Sequence, residues 1–96
     1  MIDLYFITTI RVGKNEIYRC IGFYDELKVA RDVLKKHSEC LGESGWYKYA
    51  VIECFRTGWY PNASMEDWYE FRDRDKKVVR IKKPKSFKSY CNFGIG

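Results

Sequence analysis

The stretch Trp46-Tyr47-Lys48-Tyr49-Ala50-Val51-Ile52-Glu53-Cys54-Phe55-Arg56 decides how this chain folds. β-Branched and aromatic residues dominate it, which suits a pleated, well-covered strand. At period two, Ala50, Ile52 and Cys54 share one face, while Tyr47, Tyr49, Val51 and Phe55 share the other. The face of smaller residues fits a packed helix. The aromatic face also needs a cover, which the C-terminal tail, a ligand or another subunit would supply.

Working outward, residues 26–39 place Leu27, Ala30, Val33 and Leu34 at helical spacing, with Lys28, Arg31, Asp32, Lys35 and Lys36 on the other side. That is an amphipathic helix ending before Gly42, with Asp25 as its N-cap. Residues 2–11 and 16–24 alternate as strands around the turn Val12-Gly13-Lys14-Asn15 and predict a hairpin. Residues 67–73 and 77–82 predict a second hairpin across Arg74-Asp75-Lys76, and residues 57–62 a loop. The order β-β-α-β-β-β gives an α+β fold: an antiparallel sheet of about five strands with one helix packed on one face. The third strand is expected between the two hairpins. Residues 1–96 read as one domain, and 85–96 as a tail docking on the domain or on a partner subunit. Phe93 and Ile95 would enter an apolar groove, and the tail glycines offer a weaker, second role as backbone donors to an anion.

Composition narrows the function classes. Aromatic residues make up 18% of 96 residues, more than one small core needs, so some rings belong on a surface, in a pocket or in an interface. Residues 72–88 hold nine Lys and Arg against two acids, a local net charge of +7 within an overall +5. Such a block favours phosphate-bearing partners, and equally it describes an edge strand whose lysines prevent sheet-to-sheet pairing. The four cysteines have no C-x-x-C spacing and only one histidine accompanies them, which argues against zinc and for reduced thiols, two or three of them buried. His37 and Cys40 lack an activating environment for nucleophilic catalysis. With no leader pattern and no long apolar run, a cytoplasmic protein without a membrane partner, cofactor or metal is expected.

The candidate ligand-binding residues are Arg11, Arg19, Trp59, Tyr60, Trp68, Arg72 and Arg80. Rings stack a planar base and guanidinium forks meet two phosphate oxygens at once. Arg11 and Arg19 are expected to face each other across the first hairpin, where an anion would relieve their repulsion; the alternative is opposite faces, or pairing with Asp3 and Glu16. Trp68 is equally read as plain core. Trp59 and Tyr60, on a loop, are harder to account for as core.

The segments Phe6-Ile7-Thr8-Thr9-Ile10, Arg19-Cys20-Ile21-Gly22-Phe23-Tyr24, Tyr47-Lys48-Tyr49-Ala50-Val51-Ile52-Glu53, Trp59-Tyr60-Pro61, Trp68-Tyr69, Lys83-Pro84 and Asn92-Phe93-Gly94-Ile95-Gly96 resemble, in order and over nearly the whole chain, a family of short uncharacterised proteins of Firmicutes and their phages. At the level of class, the chain is similar to phage nucleotide-signal sponges. That resemblance implies a non-catalytic, homo-oligomeric counter-defence protein that sequesters a cyclic oligonucleotide or an ADP-ribose derivative. The alternatives are a basic nucleic-acid-binding protein and an inhibitor that adds a strand to a host enzyme.

Overall fold

The computed structural model describes residues 3–43, 46–56, 63–72, 77–87 and 92–94. Five strands, β1 (Asp3–Arg11), β2 (Ile17–Tyr24), β3 (Tyr49–Arg56), β4 (Met65–Arg72) and β5 (Lys77–Ile81), form one antiparallel sheet. Its order is β2-β1-β3-β4-β5, so the third strand lies between the two hairpins and the fold is the α+β arrangement expected. The helical segment is two helices, α1 (Leu27–Lys36) and α2 (Ser38–Gly42). They part at His37, whose ψ of 21° leaves the helical range. The N-cap of α1 is Glu26 in extended conformation, with no side-chain cap bond, so the expected Asp25 cap is displaced by one residue. A 3-10 turn at Lys85–Phe87 follows β5.

Period two is obeyed on both faces of β3. Ala50 and Ile52 meet Ala30 and Leu34 of α1, together with Ile7 of β1 and Tyr69 of β4. All six are buried, and the apolar stripe of α1 exists to fill this layer. On the opposite face Val51 joins Ile10, Trp68 and Phe87 in a second buried cluster, with Phe93 packed against it. The tail therefore covers the aromatic face. Phe93 docks as anticipated, while Ile95 lies outside the described residues. Of the described cysteines only Cys54 is buried and Cys20 and Cys40 are exposed, so three buried thiols are ruled out; Cys91 lies outside the described residues.

Two glycines explain themselves. Gly13 has φ of 136° in the β1–β2 turn, a conformation side chains rarely adopt. At Gly94 a Cβ would sit 3.1 Å from the Phe6 Cβ and 3.3 Å from the Thr8 Oγ1, and Phe6 and Thr8 belong to the sheet's central region. The tail thus approaches the sheet so closely that a methyl group there would have to push its neighbours aside by a few tenths of an ångström. Gly94→Ala is expected to lower unfolding free energy by about 1–3 kcal/mol, the usual cost of overpacking, as read by urea denaturation. A value within experimental error of wild type would show that the tail does not press on the sheet.

Candidate functional site

Two polar arrangements and one exposed aromatic corner remain after the core is accounted for. The first centres on Glu53, wholly buried in the middle of β3. It stands opposite Phe6 on β1 and Glu66 on β4. A buried carboxylate without donors costs several kcal/mol. The tail supplies the donors: the Phe93 N–H reaches Oε2 at 3.1 Å and the Gly94 N–H reaches Oε1 at 2.9 Å. Asn92, with φ of 60°, turns the chain so that these successive amides converge, which is the geometry of an anion-binding nest. The Asn92 Oδ1 also accepts the Ala63 N–H at 3.0 Å. Of the tail glycines, Gly94 presents a backbone donor to an anion, and that anion is the protein's own carboxylate; Gly96 lies outside the described residues. Burial nevertheless raises the Glu53 pKa above its ordinary value, an effect partly offset by the tail amides and reinforced by Glu66.

The second arrangement ties cations down. Asp67, buried on β4, accepts Arg31 of α1 at 2.9 and 2.6 Å and Arg80 of β5 at 2.9 Å. This bond to Asp67 is also the leading reason that the Arg31 pKa is raised. Burial, and next the Asp67 charge, push the Tyr69 hydroxyl pKa up. Lys83 approaches the Glu66 Oε1 at 3.2 Å, and the Trp68 indole N–H donates to the same oxygen at 3.1 Å. Arg72 pairs with Glu70 at 3.2 Å. Three cations of the basic stretch are thus matched by acids on β4, which the count over residues 72–88 leaves out. A groove of about 280 Å³ lies at this end of β4 and β5, lined by Glu66, Asp67, Trp68, Arg80, Ile81, Lys82 and Lys83. Its acids Asp67 and Glu66 already hold Arg80 and Lys83.

Trp68 is 2% exposed. Its ring stacks on Phe87 at 5.3 Å and meets Phe93 edge-on at 5.3 Å. It is spent on the interior and offers no face to a base. Trp59 and Tyr60 lie outside the described residues. Arg72 and Arg80 are far more exposed than the carboxylates they pair with.

The exposed corner lies where β1 ends. Trp46 is 47% exposed, and the Arg11 guanidinium carbon stands 3.7 Å above its ring centroid. The Lys48 N–H bonds to the Ile10 carbonyl at 2.9 Å, which extends the β3–β1 ladder and fixes Trp46 beside Arg11. Arg19 does not face Arg11 directly. Arg11 is opposite Ile17, and Arg19 is opposite Thr9. The two arginines are diagonal neighbours on the helix-bearing face, which puts their Cα atoms about 7–8 Å apart. Neither expected acidic partner is taken: Asp3 pairs with Arg56, Glu16 bonds the Tyr18 hydroxyl, and Arg19 lies 3.6 Å from Glu43 of the α2 terminus. Trp46 reads in the sequence as the first strand residue; in the structure β3 begins at Tyr49, and the Trp46 N–H bonds the Glu43 carbonyl at 3.2 Å, where its ring meets Arg11. Glu53 was legible as the lone acid in the run from Tyr49 to Phe55, but its donors sit some forty residues downstream. Among the described residues no helix is long and apolar enough to cross a membrane, and no cluster of His, Cys, Asp or Glu is arranged to hold a metal.

The Glu53 shift has a sign that can be measured. With its folded pKa above the ordinary 4.5, the folded state retains a proton that the unfolded state has lost. Its contribution is fully present below about pH 4.5 and is lost as pH rises through the folded value. The difference in unfolding free energy between wild type and Glu53→Gln should therefore move against wild type as pH rises from 4.5. A difference that moves towards wild type over that range would mean that the tail amides outweigh burial.

No family model, curated protein or solved structure matches this chain.

Proposed function

We propose that this protein binds and holds, without converting, a small planar anion of the nucleotide type, and that Arg11, Trp46 and Arg19 form the seat. The observation that carries this reading is a guanidinium lying 3.7 Å over a half-exposed indole, with a second arginine one diagonal step away. Stacked on the ring, Arg11 keeps its fork pre-oriented at little entropic cost, ready for two phosphate oxygens. The uncovered side of the indole accepts a base, a contact worth about 1–3 kcal/mol. Glu43 competes with a phosphate for Arg19, but an exposed pair at 3.6 Å is weak and exchangeable. The likeness to nucleotide-signal sponges favours a cyclic oligonucleotide or an ADP-ribose derivative as the class of ligand, and counter-defence as the setting.

The nucleic-acid reading draws less support, because Arg72, Arg80 and Lys83 are engaged by Glu70, Asp67 and Glu66. Salt separates the two: a polyanion released by counterion uptake shows a steep slope, a compact ligand a shallow one.

Purified protein mixed with a panel of cyclic dinucleotides and ADP-ribose derivatives should show a rise in melting temperature with at least one, together with quenched tryptophan emission. The ligand should be recovered intact on heating. Arg11→Ala and Trp46→Ala are each expected to weaken that binding about tenfold or more, the loss of roughly 1.4 kcal/mol or greater. Absence of any shift across the panel, or binding untouched by both substitutions, refutes the seat.

A further inference from the structure

The two edges of the sheet are built differently. Lys77 and Arg80 stand on β5, followed by Lys82 and Lys83, the usual protection against pairing with another strand. The eight residues of β2 carry one charge, Arg19. They also carry three of the exposed large apolar side chains, Ile17 at 37%, Tyr18 at 41% and Phe23 at 60%. Being terminal in the strand order, β2 has no neighbouring strand on its outer side among the described residues, and a sheet edge of that kind presents main-chain donors and acceptors to another strand. A strand is the occupant that satisfies such an edge.

We propose that β2 pairs antiparallel with β2 of a second copy of this chain, joining two sheets into one across a two-fold axis. The strand's own pattern points to a second copy. An irregularity between Ile7 and Thr8 of β1 leaves Ile21 of β2 without a direct partner, so face parity reverses between the two halves of β2. Tyr18 and Phe23 lie on the tail-covered face, opposite Ile10 and Phe6, while Ile17, Arg19, Gly22 and Tyr24 lie on the helix face, opposite Arg11, Thr9, Ile7 and Tyr5. One self-pairing register spanning the whole strand matches the faces on both sides of the irregularity: Tyr18 opposite the second copy's Phe23, Ile17 opposite Tyr24, and Arg19 opposite Gly22. The exception is Cys20 opposite Ile21 at the centre, where Cys20 lies on the tail-covered face and Ile21 packs on the helix side. The register yields two aromatic cross-strand pairs, which stabilise sheets. It also sets each arginine against a glycine instead of against its symmetry mate, so the single charge is not duplicated across the seam. The axis passes between Cys20 and Ile21. A seam of this length sits at or below the low end of specific interfaces, about 1,200 Å², so the association is reversible. It does not depend on the ligand seat.

Sedimentation velocity over a concentration series should show a rise from monomer to twice the monomer mass. Tyr18→Lys and Phe23→Lys, both at exposed positions, should each hold the chain as monomer with an unchanged far-ultraviolet circular dichroism spectrum. The control Val79→Lys on β5 should leave the dimer intact. A short bismaleimide should link Cys20 to Cys20 in wild type, identified by mass spectrometry, because the register places these exposed thiols beside the axis. A monomer at every concentration, a dimer that survives both β2 substitutions, a dimer lost with Val79→Lys, or association only with an unrelated protein strand would each overturn the proposal.

Discussion

The interaction on which the rest depends is the seating of the Glu53 carboxylate on the Phe93 and Gly94 amides. A charge in the middle of the central strand, wholly buried, is tolerable only where donors meet it. Those donors are backbone groups of the tail, so the sheet and the tail cannot be considered apart. The left-handed turn at Asn92, the close approach of Gly94 to Phe6 and Thr8, and the docking of Phe93 on Trp68 all follow from bringing the tail to that carboxylate. The Thr8 hydroxyl, buried beside this contact, has no hydrogen-bond partner among the described residues.

This constraint redistributes the aromatic and basic residues. Trp68, Phe87 and Phe93 form the layer that seals the second face of the sheet, so much of the aromatic surplus is structural. The acids of β4 hold Arg72, Arg80 and Lys83 of the basic stretch, as well as Arg31 of α1, so part of the stretch is structural too. Asp67 in particular, on the helix-bearing face, fastens α1 to the sheet. The seat proposed for recognition is the Arg11–Trp46 corner with Arg19. This is a smaller and differently located seat than the aromatic and basic content of the second half suggests.

The fold was legible because its signals are local. Ala50 and Ile52 alternating with Val51, and Leu27, Ala30, Val33 and Leu34 at helical spacing, settle the sheet and the helix before any long-range contact is known. Even the cover on the aromatic face could be inferred from β3 alone. The break at His37 could not, because a change in backbone direction at one residue leaves the apolar spacing intact. The candidate site was less legible for the same reason. Whether Trp68 is core or platform, and whether Arg80 meets a phosphate or Asp67, depends on partners brought from other strands. Diagonal placement of Arg11 and Arg19 depends on a register set from the turn, before the irregularity at Ile21 is reached.

The most direct test of the account is a pH titration of the Phe93 and Gly94 amide protons by NMR. Donors to a carboxylate resonate downfield and follow its ionisation. Both signals should move together upfield as pH falls, through one midpoint above the ordinary glutamate value of 4.5, and the movement should vanish in Glu53→Gln. Two amides that are insensitive to pH, or that titrate unchanged in that variant, would contradict the claim that Glu53 holds the tail.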